Sequence, residues 1–323
     1  MRTITLEEHF TTPMFLAGPG RKRQQRAEQA GGRLAQVFAK LADVGDGRLA
    51  EMDAAGIDMQ VLSLTSPGTE QSEAAEALAL TREANDFLAA VVQRHPQRFA
   101  GLAVLPTAAP DKAAQELEHM VRRQKFVGAV IHGHNCGRYL DNKFFWPILE
   151  SAEALNAPIY LHPTPPPQAV IDVSYGGFAP AVTEAFAAAG WGWHIETAVH
   201  IVRIILGGVF DAFPKLQFVI GHLGEALPFM LPRLDSMGTA VTKLKNPISF
   251  YLRNNVHYTI SGFNFPAAFL DLLLEVGVAR IMFSADHPYA SMAAARAFLE
   301  QIPVSAADRE RIAHGNAEKL FGL

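Results

Sequence analysis

The stretch Thr3-Ile4-Thr5-Leu6-Glu7-Glu8-His9-Phe10 reads as a β-strand that ends in acid and imidazole. Residues i and i+2 of a strand point to the same face, so Glu7 and His9 are expected to project together. Glu8 is expected to face the other way, toward an ion pair or a helix. A carboxylate beside an imidazole at the end of a buried strand makes half of a metal site, and the fold must supply the other half.

Outward from this stretch, seven more strand-like runs appear at 59–64, 99–105, 128–132, 158–162, 216–222, 256–260 and 280–284. They are mostly apolar throughout, as parallel strands covered on both faces are. Helical periodicity separates them, most plainly at 73–93 and 113–123. Alternation of this kind predicts an α/β chain folded as one (β/α)8 TIM barrel over residues 1–323, distorted by active-site insertions. Two stretches interrupt the pattern. Residues 18–26, with four basic side chains, read as a surface loop or helix start, solvated or in contact with an acid or a second subunit. The Pro- and Gly-rich residues 164–193 read as a cover over the site. Near the end, Ser305-Ala306-Ala307-Asp308 has a capping-box form with Asp in place of Glu.

With 323 residues, 49% of them hydrophobic, the chain can bury a large core. A formal charge of −4 gives no basic field for nucleic acid or an anionic membrane, which leaves a small molecule as the expected partner. Cys136 is the single cysteine, so no internal disulfide forms and any metal must be held by His and carboxylates. The strand-like start and the lack of a bilayer-length apolar run lead to a cytoplasmic expectation.

In such a barrel the chemistry sits at the C-terminal ends of the strands. Glu7 and His9 end the first strand, His162 the fifth, His222 the sixth and Asp286 the eighth. Glu7, His9, His162 and Asp286 offer two imidazoles and two carboxylates, a set suited to one Zn²⁺ or Mn²⁺ with open positions. In Gly221-His222-Leu223-Gly224-Glu225, the glycines permit close approach, and Glu225 falls one helical turn beyond His222 if a helix starts there. A carboxylate on an imidazole fixes its tautomer and raises its basicity, which makes His222 a candidate acid/base with Glu225 as orienter. His132 and His134 end the fourth strand without an evident partner. His194 and His200 read as structural, with Glu196 and His200 on one face, and Arg233 reads as solvated or ion-paired.

The order of Leu6-Glu7-Glu8-His9-Phe10, Tyr160-Leu161-His162-Pro163, Glu196-Thr197-Ala198-Val199-His200, Gly221-His222-Leu223-Gly224-Glu225 and Phe283-Ser284-Ala285-Asp286 resembles the amidohydrolase superfamily. The branch nearest in pattern is that of metal-dependent aromatic acid decarboxylases, typified by γ-resorcylate and 2,3-dihydroxybenzoate decarboxylase. The resemblance implies a distorted barrel with one divalent ion, Mn²⁺ or Zn²⁺ with Mg²⁺ also possible, held by Glu7, His9, His162 and Asp286. It places proton handling on Asp286, His222 and Glu225. It further implies a homo-oligomer, a dimer or tetramer, working in the breakdown of aromatic compounds. The expected reaction is nonoxidative loss of CO2 from an ortho-hydroxy aromatic acid after protonation of the ring carbon. The rival on the same residues is a hydrolase of a lactone or amide. Residues 11–46, residues 164–193 and His287 depart from the branch and are expected to shape the substrate pocket.

Overall fold

The computed structural model describes residues 1–323. All eight strands form: β1 (Ile4–Phe10), β2 (Met59–Leu64), β3 (Phe99–Val104), β4 (Gly128–His132), β5 (Ile159–His162), β6 (Phe218–Ile220), β7 (Val256–Thr259) and β8 (Ile281–Met282). They pair in parallel in chain order. A bridge between Leu6 and Ser284, with the Leu6 amide 3.3 Å from the Phe283 carbonyl, brings β8 back to β1. Helices follow the strands, among them Asp46–Ala55, Ala74–Arg94, Pro110–Gln124, Trp146–Leu155, Pro266–Val276 and Met292–Gln301. This is the (β/α)8 barrel that the alternation predicts. β6 and β8 are shorter than the apolar runs that encode them, because the residues beyond leave the sheet to build the site.

The packing explains why chemistry is confined to one end. Inside the barrel, Ile4, Leu6, Val61, Leu102, Val130, Val219 and Met282 form a buried apolar layer, plugged by Ala317 and Phe321 of the terminal helix Asn316–Phe321. A larger cluster, including Phe99, Leu117, Ile204 and Phe269, fills the space between strands and helices. Above the inner layer the interior turns polar, with Tyr160, Thr259, Ser261 and Glu7 all buried.

β1 is not the uniform strand that simple alternation assumes. Its register against β2 shifts between Thr5 and Glu8, and Glu7 has φ of 60°, a bulge that re-aims one side chain. Glu8 does face away from Glu7, and it feels the charge of buried Arg48 on the helix Asp46–Ala55 without closing a salt bridge to it. It accepts hydrogen bonds from Gln60 Nε2 (3.0 Å) and from the amides of Ala285 (2.9 Å) and His287 (3.3 Å), joining β1 to the chain that leaves β8. Burial pushes its carboxyl up to about 8, against the pull of the Ala285 amide and the charge of Arg48. Buried Arg48 donates to the His9 carbonyl at 2.6 Å and fixes the strand's end from behind.

Of the two readings of residues 18–26, the helix start holds, since the helix Arg21–Ala30 begins there, and the cover segment contains Pro180–Ala187 before the helix Gly192–Leu206. Ser305 caps Ala306–Glu310 by accepting from the Asp308 amide at 3.1 Å, as its motif predicts. No helix is long and apolar enough to cross a membrane.

Candidate active site

At the mouth, Glu7, His9 and His162 bring one ligand atom each to within 4.8 Å of one another. Their other polar atoms are already engaged. Glu7 Oε2 accepts from the Tyr160 and Ser261 hydroxyls, leaving Oε1 buried and unpartnered. His9 Nδ1 lies 3.3 Å from Ser63 Oγ, leaving Nε2 buried and unpartnered. His162 donates from Nδ1 to the Pro163 carbonyl at 2.8 Å, which turns the Nε2 lone pair toward Glu7 Oε1, 3.4 Å away. Burial pulls His9 down to about 3 and His162 well below its ordinary value, so both imidazoles are neutral, the state that binds a cation. Leaving such atoms buried and unpaired costs about 1–3 kcal/mol each. A divalent ion among them removes that cost, and the donor set fits one.

Asp286 borders this triad without closing on all of it. Its Oδ1 is 3.4 Å from His9 Nε2, and its side chain is 18% exposed toward the cavity. Burial raises its carboxyl to about 7, against the lowering effect of His222 and His194.

The adjoining wall carries a second cluster, with His222 Nε2 3.8 Å from Glu7 Oε1. Glu225 Oε1 accepts from His222 Nδ1 at 2.7 Å, as the motif predicts, but not for the reason it suggests. No α-helix begins at His222. Residues His222–Gly224 make one tight turn in which His222, Leu223 and Glu225 all have φ between 50° and 56°, and the helix Leu227–Asp235 starts only afterwards. Positive φ at a non-glycine residue costs of order 1–3 kcal/mol, and such strain gathers at functional sites. A side chain at Gly221 would come within 2.6 Å of Glu7 Oε2, so glycine is required where β6 passes the ligand carboxylate. The other oxygen of Glu225 takes a hydrogen bond from His194 Nδ1 at 2.6 Å. His194, read as structural, therefore belongs to the site. Burial alone would lower His222, but Glu225 and Glu7 outweigh it and lift the imidazole to about 10. Glu225 itself is held below its ordinary value by the two imidazoles despite its burial.

Between these walls lies a cavity of about 280 Å³, lined by Arg23, Trp193, Phe263 and Tyr289 together with His162, His222 and Asp286. A cavity of roughly 150 Å³ admits benzene, so this one has room for a substituted single ring. A second cavity of about 300 Å³, near Lys215, His257 and Arg280 at the opposite end, has no carboxylate among its lining residues and holds no such cluster.

Arg23 corrects the solvated reading of its segment: its guanidinium donates to the Ser66 carbonyl at 2.6 Å and stands 5.9 Å from the Tyr289 ring. His287 does not shape this cavity. Its ring turns toward Glu51, and the aromatic wall comes from Tyr289. Glu196 and His200 do not pair; His200 Nε2 accepts from the Leu140 amide at 2.9 Å. His132 Nε2 bonds the Leu64 carbonyl at 2.9 Å, and Arg233 is exposed. Tyr160, Ser261 and Ser63 escape sequence reasoning because single hydroxyls in apolar strands carry no pattern; only their place near strand ends marks them.

Eight parallel strands with an imidazole–carboxylate cluster at their C-terminal mouth define the class of metal-dependent barrel enzymes. The amidohydrolase family pattern matches residues 37–323, and the chain belongs to that family. It is 35% identical to the γ-resorcylate decarboxylase of a Polaromonas species over 332 residues, covering 99% of this chain and 98% of the relative. Among solved structures, the 5-carboxyvanillate decarboxylase of Novosphingobium aromaticivorans, complexed with manganese and 4-hydroxy-3-methoxy-5-nitrobenzoic acid, superposes with a TM-score of 0.90 at 33% identity, covering 100% of this chain and 96% of the other. A Polaromonas dihydroxybenzoic acid decarboxylase with bound manganese and 2-nitroresorcinol gives 0.87 at 34%, with coverage of 100% and 97%.

Proposed function

We propose that this protein is a divalent-metal-dependent, nonoxidative decarboxylase of an ortho-hydroxy aromatic carboxylic acid, acting as one domain over residues 1–323. The observation that carries this reading is the pair of unpartnered buried ligand atoms, Glu7 Oε1 and His9 Nε2, beneath a ring-sized cavity in which Asp286 is raised to about 7. Glu7, His9 and His162 hold the ion with Asp286 beside them. When bound, the ion supplies Lewis-acid charge and orientation for the phenolate and carboxylate oxygens.

The chain's own residues do the rest. Trp193, Phe263 and Tyr289 wall the ring and exclude water. Asp286 gives a proton to the ring carbon that bears the carboxylate, using a pair of ring π electrons. The pair from the broken C–C bond then returns to the ring as CO2 leaves. His222, charged at neutral pH and oriented by Glu225, keeps a proton available beside Asp286. Arg23 is the cation that faces an acidic ligand. The two carboxylates and two imidazoles favour Mn²⁺ or Mg²⁺ over what an all-imidazole set would take, with Zn²⁺ the alternative. A homo-oligomer belongs to this reading, supported by exposed Val173, Phe178, Val182 and Trp191 on the cover segment. So does a reducing, cytoplasmic setting, supported by the free, exposed Cys136.

The test is incubation of the metal-loaded protein with hydroxybenzoates and lactones in isotopic water. CO2 release with deuterium on the vacated ring carbon supports decarboxylation. Incorporation of ¹⁸O from water without CO2 would replace it with hydrolysis.

A further inference from the structure

The second imidazole–carboxylate cluster can do more than hold protons. His194, His222 and Glu225 each present a ligand atom within 4.8 Å of the others, a set that meets the same geometric condition as the first cluster. The atoms are Nδ1 of both imidazoles and the carboxylate oxygens, at 2.6 and 2.7 Å across the two hydrogen bonds. Two imidazoles and one carboxylate form a three-ligand zinc set that leaves a fourth position for water. That position would open to the cavity, which His194 and His222 both line. The rings stand nearly at right angles, 4.6 Å apart at 71°, and Phe263 packs 5.0 Å from each, holding them on either side of the carboxylate.

We infer that His194, His222 and Glu225 form a second, inhibitory Zn²⁺ site adjoining the first, with His222 Nε2 3.8 Å from Glu7 Oε1. The inference rests on the decarboxylase reading for its inhibitory consequence, not for the binding itself. Zn²⁺ enters as His222 gives its Nδ1 proton to solvent and the His194 proton moves from Nδ1 to Nε2, where it faces the Ala189 carbonyl at 3.2 Å in place of the Trp193 Nε1 donor; both Nδ1 lone pairs and the carboxylate then ligate the ion. The site is weaker than the first because its atoms already have hydrogen-bond partners, whereas Glu7 Oε1 and His9 Nε2 have none. Zn²⁺ is favoured over Mn²⁺ here, since divalent-ion affinity at nitrogen-rich sites rises along that order. Occupancy takes His222 and Glu225 away from proton handling, so zinc beyond the first equivalent stops turnover.

The test loads the full-length protein with one equivalent of Mn²⁺ and titrates Zn²⁺, reading metal content by elemental analysis after desalting and heat by calorimetry. The expected result is two metal equivalents per chain, the second taken up as Zn²⁺ whether or not Zn²⁺ also exchanges for the first, with proton release and at least about 10²-fold inhibition. In His194→Gln and His194→Phe, each first checked for folding and for its Mn²⁺ equivalent, the zinc equivalent and the inhibition measured against that variant's own zinc-free rate both vanish. Zinc that merely replaces Mn²⁺, or a second equivalent that persists in both variants, would overturn the site. If the wild type binds the second equivalent but releases no CO2 from any acid, the site stands and the decarboxylase reading fails.

Discussion

The two adjoining imidazole–carboxylate clusters of the mouth differ in one physical respect. In Glu7, His9 and His162, ligand atoms are buried without partners and the imidazoles are held neutral. In His194, His222 and Glu225, the carboxylate is satisfied on both oxygens and His222 is lifted to about 10. An unsatisfied set of lone pairs calls for a cation; a satisfied set with a raised imidazole stores a proton. The same residue types thus divide into a metal side and a proton side: burial and missing partners mark the first, hydrogen bonds and the charges of Glu225 and Glu7 on His222 the second. Breaking each side should leave a different signature.

The largest effect is expected from the metal side. His162→Ala should lower bound metal well below one ion per chain by elemental analysis and take activity to background; unchanged stoichiometry would remove His162 from the ligand set. Asp286→Asn, at the boundary between the sides, should cut kcat by at least about 10²-fold, the lower range for a lost general acid. Near-normal turnover would sink its role. Tyr160→Phe leaves every ligand in place but removes the hydroxyl that engages Glu7 Oε2. A loss of about 10- to 100-fold in metal affinity or rate is expected, as when a group that orients a ligand is removed.

The metal side should also show its buried acids through pH. Glu7 and Asp286 are both raised by burial, Asp286 to about 7, and a proton on either competes with the ion. Metal affinity should therefore fall as pH drops below about 7 and level off above it, with proton uptake on metal release at the acid end, in chelator competition across that range. A flat profile would mean that neither carboxyl titrates with the metal. The smallest effect is expected from Arg23→Ala, a rise in KM of roughly tenfold, the worth of about 1.5 kcal/mol for one hydrogen bond to a charged group. A change confined to kcat would place Arg23 elsewhere in the reaction.

The contrast also marks how far the sequence could be read. The strands and Glu7, His9 and His162 were legible because apolar runs with polar ends are a direct imprint of a closed parallel barrel. The bulge at Glu7 was not, since nothing in Leu6-Glu7-Glu8-His9 marks positive φ at a glutamate. His222 and Glu225 were paired correctly from spacing, yet a strained turn rather than a helix joins them. His194 lay hidden because its partner is 31 residues away and only the path of the cover segment brings them together. Arg23 was lost in a basic run whose other members do not line the cavity.

The central claim, that the unsatisfied cluster rather than the satisfied one holds the catalytic ion, is tested most directly by anomalous diffraction from crystals loaded with one equivalent of Mn²⁺ and an ortho-hydroxy aromatic acid. The account predicts a single anomalous peak among Glu7 Oε1, His9 Nε2 and His162 Nε2, with the acid in the cavity beside Asp286. A peak among His194, His222 and Glu225, with the first cluster empty, would contradict it.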